Sequence, residues 1–436
     1  MLRQLLPISA LLLGSAFLLF AGGINSLILP VRGSAEGFTA SALGLLGTGW
    51  AIGYVLGCIL APRMVGAVGH IRTYGVLCAF AAISILLQAL LVTPYAWIPV
   101  RAVSGFCFAG AAMIVESWLN DHVQPSTRGK IFGIYTMVNL AAVTGGQMVI
   151  SLGDTMGFTF FAIGAIIFCL ALVPTALSTS SSPAPLTSVT LDIGALWRNS
   201  PVAVSAVFLV GISNASFGTL SAVYADRVGL GLTSIALFSS IPVLAGALAQ
   251  LPFGFASDRM DRRKVLVVAA VWALAADLAF IMIAPEGRLA NLALAGLFGA
   301  AIFAMYPVIV AHANDHAPEG TSIQVSGGLL LVFGLGSIAG PLIAGVGMSW
   351  IGPQGLFLTT IVAHVLMIAF TLLRIARRAP VPNAEKGSFQ VSPPARAATP
   401  ETAVLAVGED EDAPLEPAPP PADAQPSEAQ DGAPGP

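Results

Sequence analysis

Long apolar runs alternate with short polar connectors along most of the chain, and this alternation is its dominant pattern. Each run is long enough, as one helix, to cross the ~30 Å hydrocarbon core of a bilayer. The runs cover residues 8–30, 41–61, 73–93, 97–118, 131–152, 157–177, 201–224, 232–253, 265–284, 291–312, 322–349 and 354–375. The pattern therefore predicts an all-α polytopic membrane protein with twelve transmembrane helices.

The composition supports this class. Of 436 residues, 56% are hydrophobic and only 9% are charged, whereas soluble proteins have about 25% charged residues. So few charges cannot cover a water-facing surface of this size, which excludes a soluble globular protein. The first run is longer than a signal-peptide core and lacks a convincing cleavage site, so we expect a retained first span. The four cysteines lie inside apolar runs and favour neither disulfides nor a metal site.

The basic residues of the connectors predict the orientation. Counting the termini and the central connector, 15 of the 19 Lys and Arg lie on one side of the predicted membrane. The other side holds only Arg32, Arg227 and Arg288, and Arg101 lies within a span. Because basic short loops stay in the cytoplasm, we expect both termini to be cytoplasmic. The location we expect is the bacterial inner membrane.

The chain also divides into two similar halves. The Ser- and Pro-rich stretch 178–200 reads as a linker between six spans and six. Asn120-Asp121-His122 follows the fourth span, and Asn314-Asp315-His316 follows the tenth. We therefore predict two pseudo-symmetric six-helix bundles, at 1–177 and 201–376. Two similar bundles that rock around a central site are the architecture of a secondary transporter.

The composition changes again after Pro380, to Pro, Ala, Glu and Ser with an acidic run from Glu409 to Asp412. Such a segment has too little apolar surface to fold by itself. We expect a disordered tail over residues 377–436. A tail that binds a partner is the alternative, although tails of this composition more often have no discrete site.

One short connector carries a distinctive motif. GFASDRMDRRK lies between the eighth and ninth runs and has four of the chain's Lys and Arg residues. A simple cytoplasmic anchor would need only the basic residues, whereas this loop also has an acidic residue at a fixed distance from a glycine. Its motif residues are Gly254, Asp258, Arg259, Arg262, Arg263 and Lys264. Between two membrane spans this arrangement resembles the cytoplasmic gating motif of the major facilitator superfamily.

The resemblance covers roughly residues 8–376 and departs from the family pattern at one point. The connector after the second span keeps Arg63, Gly69 and Arg72 but has no Asp at the position that matches Asp258. The resemblance therefore implies that the paired cytoplasmic latch is intact only in the C-terminal half. ESWLN, which includes Glu116, also resembles the YcaD-like bacterial subgroup of the superfamily.

Two charged residues of the fourth span are candidates for proton coupling. A charge inside the membrane is costly and normally faces a cavity or a partner. Arg101 with Gly105 and Ala109 resembles the fourth-helix motif of proton-coupled members. Snorkelling to the outer interface is the alternative for Arg101. Glu116 could take up a proton beside a cavity, or anchor the inner interface with Trp118.

Asp277 lies deep in the ninth span and is a third candidate. It is twelve residues from the start of that span, which is about 18 Å. His364 lies at a similar depth in the twelfth span. The family resemblance places these helices side by side, so it implies an Asp277–His364 pair. A structural pair is favoured over a proton carrier, because an unpaired Asp facing lipid would be costly.

The family resemblance also suggests which polar residues line a central cavity. The candidates are Asn25, Trp50, Tyr54, Asn139, Gln147, Asn214, Tyr306 and Gln324. Each could instead make a helix–helix hydrogen bond. Glycines at four-residue spacing in the second span, and others in the eleventh, predict closely packed or sliding helices.

These features favour a secondary transporter of small molecules that works by alternating access, with proton-coupled efflux of amphipathic compounds as the first hypothesis. Symport or uniport of a small polar metabolite is the alternative, and a membrane receptor without transport is another class. The chain has no phosphate-binding GxxxxGK[ST] motif and no nucleophile or metal motif, so we do not expect an enzyme or a cofactor. The expected partners are the substrate, protons and the bilayer. We expect a monomer and no nucleic acid.

Overall fold

Twelve long helices form two six-helix bundles. The computed structural model describes residues 2–122, 127–177, 186, 192–318, 320–382, 385–387 and 389–402. Within these ranges, twelve helices are long and apolar enough to cross a membrane, which confirms the predicted class. They are α1 Leu2–Ala35, α2 Ala40–Val68, α3 His70–Leu90, α4 Pro94–His122, α5 Arg128–Val149, α6 Thr159–Ala176, α7 Pro201–Arg227, α8 Leu232–Arg259, α9 Arg262–Met282, α10 Arg288–Asn314, α11 Ser322–Ile351 and α12 Gly355–Arg377.

Local sequence signals fix where several helices begin. The side chains of Thr39 and Ser200 accept hydrogen bonds from backbone N–H groups in the first turns of α2 and α7. Asp261 does the same for α9, directly after the basic loop. Such caps satisfy donors that have no partner inside the helix. Gly69, with φ of 86°, separates α2 from α3 in a backbone conformation that other residues rarely adopt.

The internal repeat is visible in the structure. His122 and His316 lie at the ends of α4 and α10, and each places Nδ1 2.9 Å from the carbonyl oxygen four residues earlier. The linker between the bundles lies mostly outside the described residues. Its last part contains a short helix, Ile193–Asn199, which the sequence did not predict. Asn199 donates to the carbonyl oxygen of Ala313 and so ties this helix to α10.

Polar side chains link the two bundles at one end of the helices. We call the end at residues 260–261 the loop end, where α2, α4, α6, α8, α10 and α12 all finish. At the opposite end Ser34 donates to Asp226 at 2.5 Å, and the hydroxyls of Ser41 and Ser349 are 2.7 Å apart. Ser240 donates to Gln147 at 2.6 Å across the same junction. The bundles are therefore joined at this end.

A segment of the C-terminal tail lies between the bundles at the loop end. Residues 385–387 and 389–402 follow α12, and several of their side chains are buried, including Ala395, Ala398, Thr399 and Thr402. The sequence predicted a tail without fixed structure. The segment cannot form a core of its own, but here the bundles supply its partners. Residues 403–436, with the acidic run, lie outside the described residues.

The predicted glycine faces allow helices to touch. A Cβ built on Gly53 of α2 would be 1.8 Å from the carbonyl oxygen of Ala102 in α4. One built on Gly336 of α11 would be 2.1 Å from the carbonyl oxygen of Phe208 in α7. These distances leave no room for a side chain, so the close approach of each helix pair depends on glycine.

We therefore expect Gly53→Ala to destabilise the protein by roughly 1–3 kcal/mol, because the added methyl forces α2 and α4 apart. Gly66→Ala is the matched control on the same helix, since a Cβ there meets nothing within 4 Å. Thermal unfolding in detergent measures both. Equal melting temperatures for the two variants would contradict the close-packing account.

Candidate functional site

A cavity lies between the two bundles. Its wall combines aromatic rings with a few amides, hydroxyls and charges. Of the predicted residues it brings together Asn25, Trp50, Arg101, Glu116, Asn139 and Gln147, together with Phe108, Phe168, Phe217 and Phe303. Large apolar surface with few placed polar groups is typical of a small-molecule site.

Arg101 faces the cavity, as one of its two sequence interpretations predicted. Its side chain is buried, and Cζ lies 6.0 Å from the centroid of the Trp50 ring. Its Nε has no hydrogen-bond partner among the described residues. The alternative, snorkelling to the outer interface, does not fit this placement. The guanidinium therefore lies beside the Trp50 ring at the wall of the cavity.

Glu116 lies on the same helix, 15 residues further on. That spacing is about 22 Å along α4 and returns to nearly the same side of the helix. Its carboxyl group is buried, and Tyr135 of α5 donates a hydrogen bond to Oε1 at 3.0 Å. The hydroxyls of Thr399 and Thr402 both donate to Oε2, the latter at 2.8 Å. Glu116 is thus held by α5 and the tail segment.

The other predicted cavity residues are distributed differently. Tyr54 lines a small adjoining pocket and donates to the carbonyl oxygen of Ala398 at 2.7 Å. Tyr306 lines a second pocket beside Thr399 and Thr402. Asn214 is buried inside α7, where its Oδ1 has no hydrogen-bond partner among the described residues. Gln324 is exposed near the start of α11. The structure brings neither Asn214 nor Gln324 to the main cavity.

Asp277 is far from this chemistry but has the partner that the sequence predicted. His364 Nδ1 lies 2.7 Å from Asp277 Oδ2, and Thr360 donates to Oδ1 at 2.6 Å. His364 Nε2 lies 3.1 Å from the hydroxyl of Ser213. All four side chains are fully buried or nearly so. The group joins α7, α9 and α12, and its residues line none of four cavities in the described part of the chain.

The basic loop forms a buried ion-pair network. Arg262 is 1% exposed, and its Nε donates to Oδ2 of Asp315, itself 2% exposed, at 2.7 Å. The same guanidinium donates to Ser257 at 2.8 Å and to Asp258 at 3.3 Å. We call Ser257, Asp258, Arg262 and Asp315 the loop network. It ties α8 and α9 to the end of α10.

The remaining motif residues have separate contacts. Arg263 donates to Asp261 at 2.8 Å and to the carbonyl oxygen of Arg378. Burial alone would raise the pKa of Asp261, but hydrogen bonds from Arg263 outweigh it and hold that pKa below its usual value. Arg259 lies over the ring of Phe255, and Lys264 is exposed. A Cβ on Gly254 would meet the ring of Phe389 in the tail.

Sequence reasoning missed several residues that the structure places at the candidate site or in the loop network. Asp315 belongs to the repeated Asn-Asp-His triplet, so the repeat was the signal that could have paired it with the loop. For Tyr135, the sequence showed only a tyrosine in the fifth span and did not indicate its hydrogen bond to Glu116. Arg396, Thr399 and Thr402 were hidden in a tail whose composition suggested no structure. Among the described residues, no cluster of three or more His, Cys, Asp and Glu is placed to hold a metal ion.

We expect Asp315→Asn to destabilise the protein by about 3 kcal/mol, because it leaves the buried Arg262 guanidinium without its main carboxylate. Asp121→Asn changes the corresponding residue of the first half, which is 42% exposed, and should have little effect. Thermal unfolding in detergent compares them. Similar losses for the two variants would contradict a special role for the buried pair.

We expect His364→Leu to reduce the folded yield strongly, because it leaves Asp277 buried with Thr360 as its remaining donor. The double variant Asp277→Leu/His364→Leu removes both polar groups and should recover much of the yield. Size-exclusion profiles of the detergent-extracted protein measure this. An unchanged yield for His364→Leu alone would show that the pair is not structurally important.

Comparison with known proteins gives the same picture. The model of the Major Facilitator Superfamily matches residues 11–247 and 203–409. "Uncharacterized MFS-type transporter YcaD" of Escherichia coli (strain SE11) is 26% identical over 388 residues, which covers 87% of this chain and 98% of the relative. An "Uncharacterized MFS-type transporter" of Yersinia pestis (strain Pestoides F) is 23% identical over 377 residues, covering 86% and 96%.

Solved structures share the fold. A variant of the nucleoside transporter NupG superposes with a TM-score of 0.70 at 16% identity, covering 85% of this chain and 99% of that one. A bacterial homologue of the human lysosomal transporter Spinster, in an inward-facing and occupied conformation, superposes with a TM-score of 0.68 at 17% identity, covering 88% and 98%. The two bundles, the loop motif and the family match agree, and this chain belongs to the Major Facilitator Superfamily.

Proposed function

We propose that the protein is a secondary transporter that exports small amphipathic compounds in exchange for protons. The observation that carries this proposal is a buried carboxylate, Glu116, on the wall of a largely aromatic cavity between two bundles. Burying a carboxylate inside the membrane costs free energy, so a carboxylate at such a position indicates a function. Its protonation can be linked to which end of the cavity is open.

Glu116 and Arg101 have the placement that such coupling needs. Glu116 lines the cavity wall and is held by Tyr135 in its own bundle, whereas its second oxygen accepts hydrogen bonds from Thr399 and Thr402 of the tail. A compound or a mobile segment that contacts this oxygen changes the free energy of its charged form. Arg101 faces the same cavity from further along α4. A proton taken up at Glu116 makes the cavity that Arg101 also lines more positive.

The lining favours an amphipathic substrate over a small polar metabolite. Trp50, Phe108 and Phe217 supply broad apolar faces, and Asn139 and Gln147 supply amides. An amphipathic compound can bury its apolar part against the rings and hydrogen-bond at its polar end. A small polar metabolite would leave the rings facing water.

Alternating access follows from where the bundles touch. They are joined at the end opposite the loop, and the basic loops predict that the loop end lies in the cytoplasm. We propose that the structure represents an inward-facing state in the bacterial inner membrane, with both termini cytoplasmic. Residues 1–177 and 201–376 would be the moving bundles and 178–200 their linker. Because one chain supplies both moving bundles, we propose that the protein functions as a monomer.

Asp277 would have a structural rather than a coupling role. Its carboxylate is closed off by His364 and Thr360 inside the second bundle. A proton carrier must exchange with a water-filled path. We therefore assign the proton step to Glu116.

Proton movement in inverted membrane vesicles tests this proposal. A pH-sensitive dye reports the gradient while the lipophilic cation tetraphenylphosphonium and uncharged and anionic amphiphiles of similar size are added in turn. We expect at least one to dissipate the gradient in the unaltered protein but not in Glu116→Gln or Arg101→Ala. Gln is nearly isosteric with Glu and cannot carry the proton.

Glu36→Gln is the matched control, since this carboxylate pairs with Arg32 at the opposite end and is partly exposed. It should behave like the unaltered protein. Coupled proton movement that persists in Glu116→Gln would contradict the assignment of Glu116. Ligand-induced flux of the compound without any proton movement would contradict proton coupling and favour uniport.

A further inference from the structure

The tail segment follows a defined path from the loop network into the cavity. At the loop end, Lys386 donates to the carbonyl oxygen of Met260, and the N–H of Gly387 donates to Asp315 at 3.2 Å. The N–H of Phe389 donates to Asp258 at 3.1 Å. The first tail residues therefore bind the same carboxylates that hold Arg262.

The middle of the segment is fixed by its backbone. Gln250 of α8 donates to the carbonyl oxygen of Ser392 at 2.9 Å and accepts from its N–H at 3.0 Å. Because these two hydrogen bonds involve only the backbone of Ser392, they fix the position of the tail independently of the side chain of that residue. Pro393 and Pro394 follow, and proline restricts the backbone before binding, which lowers the entropy cost of ordering the segment.

Beyond the prolines the segment contacts both bundles inside the cavity. The guanidinium of Arg396 lies 5.2 Å from the Trp50 ring centroid in the first bundle. It also donates to Thr219 of the second bundle at 3.5 Å. An arginine side chain stays charged at neutral pH even when it is buried. A Cβ on Gly218 would be 2.0 Å from this guanidinium, so Arg396 can approach α7 this closely only because residue 218 has no side chain.

The end of the segment covers the proposed proton carrier. Thr399 and Thr402 donate hydrogen bonds from their hydroxyls to the same oxygen of Glu116, and Tyr54 donates to the carbonyl oxygen of the preceding residue, Ala398. Thr399 and Thr402 are themselves buried. A cation over Trp50 and hydroxyls on Glu116 are the contacts that an amphipathic compound would use.

We propose that residues 385–402 are an internal ligand of the central cavity, which excludes the transported compound and covers Glu116 until the segment leaves. The inhibitory part of this inference depends on the transport function proposed above, whereas the docking part does not. Because the segment binds both bundles at the loop end, it also opposes their closure there. The protein would be held inward-facing for most of the time, and transport by the full chain would be slow.

Cross-linking tests the docking without any substrate. In a full-length chain whose four native cysteines are replaced by Ser, Gln250→Cys and Ser392→Cys are combined. A protease site replaces residues 383–384, so a short thiol cross-linker keeps the tail attached after cleavage. Leu248→Cys with Ser392→Cys is the control, because Leu248 is 71% exposed on the same helix. We expect retention of the tail in the first pair and its release in the second.

Two truncations test the inhibition in the vesicle assay. A chain ending at Pro380 lacks the segment, whereas a chain ending at Thr402 keeps it and loses only residues 403–436. We expect compound-driven proton movement to be several-fold faster in the shorter chain and unchanged in the longer one. A synthetic peptide of residues 385–402 should slow the shorter chain again. Thr399→Val with Thr402→Val should speed the full-length chain, since it removes both hydroxyls and keeps the shape.

The outcomes separate the two proposals. Equal cross-linking in the test and control pairs would overturn docking. Cross-linking with equal rates in the two truncations would overturn inhibition. Cross-linking with no flux in any chain, the Pro380 truncation included, would support the docked segment and contradict the transport function instead.

Discussion

A charge or hydrogen-bonding group inside a membrane protein must find its partner within the protein or in a water-filled cavity, because the lipid offers none. Three buried acidic groups show three solutions. Asp277 is closed by His364 and Thr360, and Asp315 is closed by Arg262. Within the described part of the chain, Glu116 accepts a hydrogen bond from Tyr135 in its own bundle, and its other partners come from the tail. Permanent partners stabilise a bundle, whereas removable partners allow a change of state.

Glycine contacts occur both within and between the bundles. Within the first bundle, Gly53 brings α2 against Ala102 of α4. Between the bundles, a Cβ on Gly44 of α2 would be 2.2 Å from the carbonyl oxygen of Pro341 in α11. Hydroxyl pairs such as Ser41 and Ser349 add hydrogen bonds at this junction, and such bonds are weak individually. Small residues along a helix pair let the two helices slide, which rocking about a central cavity requires.

Much of the fold followed from the sequence because the membrane imposes it. Run length predicted the twelve helices, and the glycine spacing predicted the close helix pairs. The Asp277–His364 pair was accessible because burial of one charge requires a partner and the family resemblance placed the two helices together. The cavity was only partly accessible. Asn214 and Gln324 are polar residues on suitable helices, yet Asn214 is buried away from the main cavity and Gln324 is exposed near the start of α11. Single spans with little amphipathicity do not reveal which of their residues face a cavity.

The composition of the tail did not predict its contacts with the bundles. A Pro- and Ala-rich segment with few large apolar residues indicates disorder when considered alone, and the contacts that hold residues 385–402 belong to distant elements. Gln250 was visible as a polar residue of the eighth span, but nothing in the sequence paired it with Ser392. The structure of a segment that folds only inside a cavity is determined by the residues lining that cavity, so the sequence of the segment alone does not predict it.

Infrared difference spectroscopy of the Glu116 carboxyl group tests whether the tail covers a proton carrier. We expect a protonated-carboxyl stretching band on acidification that is lost in Glu116→Gln. We also expect this band to differ in frequency between the full chain and a chain ending at Pro380, because the shorter chain lacks the hydroxyls of Thr399 and Thr402. An identical band in both chains would contradict contact between the tail and Glu116. The absence of any band that depends on Glu116 would contradict its role as the proton carrier.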